Sequence, residues 1–192
     1  MRKLIRLLVI VIVSALLGAS SSGAVRAQES DSVYVPETGH WIWGEFLRTY
    51  NSVSDPLLYF GYPITDDFTD PISKSRVQYF EKARFDLVET PSGPVVRIAP
   101  LGELLYEAGN PLANIPREGP ACKAYQTGFT VCYAFLQYYE AHAGETHFGM
   151  PLSNVEVEDG RYVQYFTRAR MEWWPDRAAG ERVVLTDLGK LY

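Results

Sequence analysis

The stretch FGYPITDDFTDPISKSRVQYFEKARFDL (residues 60–87) is answered downstream by FGMPLSNVEVEDGRYVQYFTRARMEW (residues 148–173). Both open on Phe-Gly-x-Pro, both carry Val-Gln-Tyr-Phe, and both continue through Ala-Arg to an apolar residue and an acid. Working outward, TGHWIWGEFLRTYN from Thr38 matches TGFTVCYAFLQYYE from Thr127, and VRIAPLGELLY (96–106) matches ERVVLTDLGKLY (181–192). The offsets are 89 (Thr127 against Thr38), 88 (Phe148 against Phe60), 86 (Val163 against Val77) and 87 (Gly189 against Gly102). Four blocks in one order at a nearly constant offset mark a tandem duplication.

The blocks predict an α+β unit made of a helix, a turn, a small antiparallel sheet and a second helix. Ile42, Phe46 and Tyr50, and in the second copy Val131, Phe135 and Tyr139, recur at helical spacing, with Thr38 and Thr127 placed to cap the helix starts. Phe-Gly-x-Pro is a tight turn, since Gly frees the backbone and Pro fixes the next step. VQYF and ARFDL are strands, PSGPVVRIA is a turn into a third, and PLGELLYEAG is a helix that stops at Gly109. This divides the chain into repeat unit 1 (28–109), a Pro-rich linker (110–121) and repeat unit 2 (122–192), shortened at its end.

The first 27 residues have another character. Arg2, Lys3 and Arg6 precede the apolar run LLVIVIVSALLGA, and small residues lead to Val25-Arg26-Ala27, the layout of a cleaved secretory signal. The rival is an uncleaved membrane anchor, for which the apolar run is short. Cleavage before Gln28 would remove four cations and no acid, taking the net charge from −5 to −9. An acidic chain repels phosphate backbones and anionic lipid. Nucleic acid is therefore not expected as a partner, and with no second long apolar segment neither is membrane insertion after signal cleavage. The two cysteines of an exported chain, Cys122 and Cys132, are expected to pair.

The blocks TGH, FGYPI, YF and RFDL resemble the LGFP repeat of secreted bacterial envelope proteins, and more closely still exported bacterial modules carrying VQYFERARFE-like segments. The resemblance spans most of residues 33–192. It implies attachment to, or recognition of, cell-envelope material, with no established chemistry.

Within the duplication, polar identities are the candidates for a site. Gln78, Tyr79, Arg84 and Asp86 recur as Gln164, Tyr165, Arg170 and Glu172. Alternation along a strand puts Arg84 and Asp86 on one face. Two readings follow: a solvent-side ion pair, or a polar row with an aromatic ring that lines a groove for a sugar. The four tryptophans do not repeat in register, and Trp41, aligned with Thr130, is the one expected at the surface.

Glu140, His142, Glu145 and His147 form a His/Glu loop in the second copy alone, without the spacing of a known zinc site. Neither a nucleophile elbow nor a phosphate-binding Gly-rich loop is present. The expectation is a secreted or envelope-associated binding module for a cell-wall or envelope polysaccharide or an extracellular protein, with no catalytic residues, metal or cofactor. The competing expectations are a small secreted hydrolase built on the His/Glu loop, and a protein-docking or inhibitor module.

Overall fold

The computed structural model describes residues 31–109, 111, 112 and 119–192. The signal segment (residues 1–27) and the middle of the Pro-rich linker lie outside the described residues. The rest is α+β, and the same elements occur twice. The first copy begins with a hairpin, β1 (Ser32–Val35) and β2 (His40–Trp43), then α1 (Gly44–Tyr50) and α2 (Pro56–Tyr59). Next comes an antiparallel sheet in the order β3 (Phe68–Thr69), β4 (Arg76–Tyr79), β5 (Arg84–Thr90), β6 (Gly93–Ile98), closed by α3 (Leu101–Leu105). The second copy repeats this with hairpin β7 (Cys122–Ala124) and β8 (Thr130–Cys132), then α4 (Tyr133–Ala141) and α5 (Gly144–His147). Its sheet is β9 (Glu156–Glu158), β10 (Arg161–Phe166), β11 (Ala169–Trp173) and β12 (Val183–Leu185), and α6 (Leu188–Leu191) follows.

The strands expected from VQYF, ARFDL and PSGPVVRIA are β4, β5 and β6. The Phe-Gly-x-Pro turns form too, with Gly61 and Gly149 at φ of +76° and +80°. Three helix expectations are corrected. Thr38 and Thr127 sit in hairpin turns and do not cap helices; the helices start later, at Gly44 and Tyr133. Ile42 and Val131 belong to β2 and β8, where alternation turns them into the core (both 0% exposed). A strand residue facing inward just before a helix mimics helical spacing, because it shares its side with the helix's buried stripe. Nor does α3 reach Gly109. It ends at Leu105, and Tyr106 turns extended (ψ 120°).

Each copy has its own core. In the first it is Ile42, Phe46, Phe60, Phe80 and Phe85, and in the second Val131, Phe135, Tyr139, Phe148, Phe166 and Met171, while Tyr59 packs against both. The copies then exchange their last helices. The amide of Glu103 at the start of α3 donates to the carbonyl of Thr167 in the β10–β11 turn (3.1 Å). Reciprocally, the amide of Gly189 in α6 donates to the carbonyl of Glu81 in the β4–β5 turn (2.9 Å). Free amides at a helix start need acceptors, and here the other copy supplies them. Ala99, Leu101 and Leu188 make the apolar seam.

The disulfide joins Cys122 and Cys132, directly opposite each other on β7 and β8. It therefore ties strand to strand, and does not tie a lead-in segment to a helix. Tyr34 pairs with Trp41 across seven residue steps, and Ala124 with Thr130 across six, so the second hairpin has one residue fewer in its turn. Cys122 thus takes the place of Ser32, one residue before the Val33 that the repeat offset alone suggests. Cys122→Ser combined with Cys132→Ser is expected to cost about 2–3 kcal/mol from the released loop. Denaturant unfolding with and without reductant measures it, and an unchanged midpoint would remove the role assigned to the bond.

Candidate functional site

The predicted rows assemble as two equivalent clusters, but four of the eight residues, Gln78, Gln164, Arg84 and Tyr165, are buried. Gln78 and Gln164 are fully buried. The Gln78 Nε2 donates to the carbonyls of Trp41 (2.7 Å) and Thr65 (2.9 Å), and the Gln164 Nε2 to those of Thr130 and Ser153 (both 2.9 Å). They stitch hairpin and turn to the sheet, so neither faces a ligand. Their recurrence is explained by this task, since a buried amide N–H needs acceptors and the backbone carbonyls supply them.

The remaining six do meet. Arg84 on β5 binds Asp86 at 2.8 Å and lies 3.7 Å from Asp70. Its guanidinium is 5.6 Å from the rings of both Tyr79 and Tyr192. Arg170 on β11 binds Glu172 at 2.9 Å and Glu158 at 2.7 Å, and lies 5.4 Å from the Tyr165 ring. Tyr106 packs on Tyr165 with ring centroids 4.8 Å apart, and its hydroxyl donates to Glu156.

Sequence reasoning missed Asp70 and Glu158, and also the two closing tyrosines. Asp70 and Glu158 stand 88 residues apart, the offset of the turn block, so the constant offset was their signal. Tyr106 and Tyr192 follow α3 and α6, so each cluster is closed by the other copy.

Burial pushes the Tyr165 hydroxyl up to about 12, and burial with the Glu156 hydrogen bond does the same for Tyr106. Both are neutral donors at physiological pH. Burial opposes the Arg84 charge, but Asp86 outweighs it and holds the guanidinium above its ordinary value. Each arginine is shared between two carboxylates, Arg84 beside two aromatic rings and Arg170 beside one, with little of either side chain open to water. The arrangement holds charge and rings together at the seam, with few donors left over.

The open aromatic surface lies on the first hairpin. Trp41 and Trp43 share the outer face of β2 because Ile42 between them enters the core. Tyr34 stands opposite Trp41 on β1. The three rings are 48% (Tyr34), 39% (Trp41) and 45% (Trp43) exposed. They form one contiguous cluster, with centroids 5.2 Å apart from Tyr34 to Trp41 and 5.1 Å from Trp41 to Trp43, the latter pair stacked. Asp66 fixes the strand beneath by accepting from the Trp41 amide (2.8 Å), and it lies 3.4 Å from the His40 ring. Trp41 is exposed as its mismatch with Thr130 suggested. Trp43 and Tyr34 were legible only once His40–Trp43 was a strand.

The His/Glu loop is split. His147 stacks on Tyr59 (4.2 Å), and His142 bonds the Tyr138 carbonyl through Nδ1 (2.7 Å). Glu140 and Glu145 face Lys123 instead, at 4.0 and 3.9 Å. Burial, and then Arg168, hold His147 below its ordinary pKa. Among the described residues, no three His, Cys, Asp or Glu side chains converge for a metal, and no helix is long and apolar enough to cross a membrane. Compared with protein-family models and with curated proteins, the chain matches none.

Proposed function

We propose that this chain is an exported, non-catalytic module that binds a polysaccharide of the cell envelope through Tyr34, Trp41 and Trp43. The observation that carries this reading is the contiguous cluster of three exposed rings on one hairpin face. Exposed apolar patches of this kind mark interaction sites. A flat ring offers its face to the C–H groups of a pyranose, while its rigidity keeps the entropy cost of binding low. His40 and Asp66 flank the strip with groups able to meet sugar hydroxyls. The net charge of −5 disfavours a polyanionic target, which points to a neutral glycan. The disulfide and the signal-like start are in keeping with an extracellular site of action.

Trp41→Ala is expected to weaken retention on insoluble peptidoglycan or chitin at least tenfold, while changing stability by no more than about 0.5 kcal/mol, the usual scale for an exposed site. Co-sedimentation of purified protein with each polymer, alongside thermal unfolding, measures both. Retention that survives Trp41→Ala combined with Trp43→Ala would end the reading.

A further inference from the structure

The equivalent place in the second copy has been rebuilt. Where the first copy carries Glu45 and an Asp67–Arg76 ion pair, the second has Ala134, Val155 and Tyr162 at the matching positions (offsets 89, 88 and 86). Three charged side chains have become apolar, and a cavity of about 330 Å³ opens between them, walled also by Phe135 and Trp173. A second cavity of about 300 Å³ adjoins it, sharing Ala134 and Trp173 and adding Gln137, His142 and Arg182. Both open to solvent. An occupant that crosses Ala134 along the Trp173 ring reaches both.

Tyr133 supplies an independent observation. It lies at φ +53°, at the position where the first copy places Gly44 at φ +50°. The fold demands a left-handed residue here, and glycine adopts that conformation freely whereas a tyrosine does so under strain. The Tyr133 ring lines the first cavity and is 59% exposed, so packing within the protein does not repay the strain. Strained residues of this kind collect where a ligand is clamped.

We propose that this groove binds a single-chain amphiphile, with its apolar tail in the first cavity beneath Tyr133 and its anionic head in the second at Arg182. The walls of the first cavity suit a hydrocarbon chain, and its volume falls in the range of small-molecule sites, roughly 300–1,000 Å³. The head is anionic because Arg182, among the described residues, has no carboxylate partner. Its Nε donates to the Arg177 carbonyl, and its guanidinium rests 5.6 Å from the Trp173 ring. The cation is thereby held at the mouth with donors to spare. This site is separate from the aromatic strip, and it holds whether or not the strip binds glycan.

The test titrates the full secreted chain by calorimetry with laurate, dodecyl phosphate and dodecanol, each below its aggregation threshold. One of the two anionic probes should bind one to one and at least tenfold tighter than dodecanol, and the tighter of them names the head. Arg182→Gln should erase that difference. Ala134→Trp, which fills the wall shared by the two cavities, should weaken binding at least tenfold. Tyr133→Gly should weaken binding yet raise Tm by about 2–4 °C through released strain, a combination that a purely structural tyrosine would not give. Trp41→Ala should leave all of this unchanged.

Absence of binding by both anions, equal binding of dodecanol, or affinity unmoved by Tyr133→Gly and Arg182→Gln would overturn the proposal. So would a dimer, seen by sedimentation, that Ala134→Trp dissociates, because the groove would then seat a second copy of the chain.

Discussion

Gly102→Ala and Gly189→Ala are each expected to destabilise the protein by about 3 kcal/mol, the upper range for forcing an extra carbon into a packed site. For a chain of this size that lowers Tm by about 6–12 °C. A Cβ at Gly102 would stand 1.9 Å from the carbonyl oxygen of Phe166, and one at Gly189 would stand 1.9 Å from that of Phe80. Both obstacles are backbone, so neither can swing aside. The helix must lift, and lifting it breaks the Glu103–Thr167 or Gly189–Glu81 backbone hydrogen bond and parts Leu101 from Leu188. Glu103→Ala is the control: its side chain is exposed and its amide is kept, so it should change stability by less than about 0.5 kcal/mol. Thermal and denaturant unfolding of the three variants decide the matter. If Gly102→Ala unfolds like the parent, the helix exchange is not what joins the copies.

That exchange marks the border of what could be read without coordinates. The duplication, the Phe-Gly-x-Pro turns and the three inner and following strands of the unit were legible, but not the edge strands β3 and β9, because turn chemistry and period-two burial leave local marks and a strand of two or three residues does not. The shared Leu-Gly of Leu101-Gly102 and Leu188-Gly189 was visible as well, but its reason was not. A sequence shows that a helix needs a close approach to something; it does not show which copy supplies the surface. The hairpin of Ser32–Trp43 was hidden by the four-residue step from Ile42 to Phe46, and with it went Trp43 and Tyr34, two thirds of the aromatic strip. The Gln78 and Gln164 identities were real, but residue identity between copies does not distinguish a buried amide from one facing a ligand.

Divergence between the copies carries the functional argument better than their likeness does. What the copies share is burial, turns and the seam. Among what they do not share are three exposed rings in the first copy, and a disulfide beside an apolar groove in the second. Thr130 and Cys132, which replace Trp41 and Trp43, are buried, so the second face was remade and not merely stripped. Duplication of a stable unit leaves one such face free to change while the other is kept.

Arg84→Leu and Arg170→Leu separate the clasp from a ligand groove. Each is expected to lower stability by about 2–3 kcal/mol, just under the usual cost of removing one partner from a buried ion pair, because the carboxylates keep some water. Without Arg84, Asp70 and Asp86 face each other uncompensated, and Tyr79 and Tyr192 lose the cation between them. The pH dependence has a definite sign. In the parent, Asp70 is held below its ordinary pKa, first by the Ser73 amide, then by that of Ile72, and through charge by Arg84. Its stabilisation is therefore present above the unfolded pKa and lost as pH falls through the folded one. Loss of Arg84 raises the folded pKa, so the variant sheds less stability on acidification, and the gap from the parent should narrow as pH falls below about 5. Retention of the folded fraction on glycan should be unchanged, because the arginines are consumed by the seam. Retention that falls while Tm and its pH profile stay at parental values would reverse the assignment and return both arginines to a ligand surface.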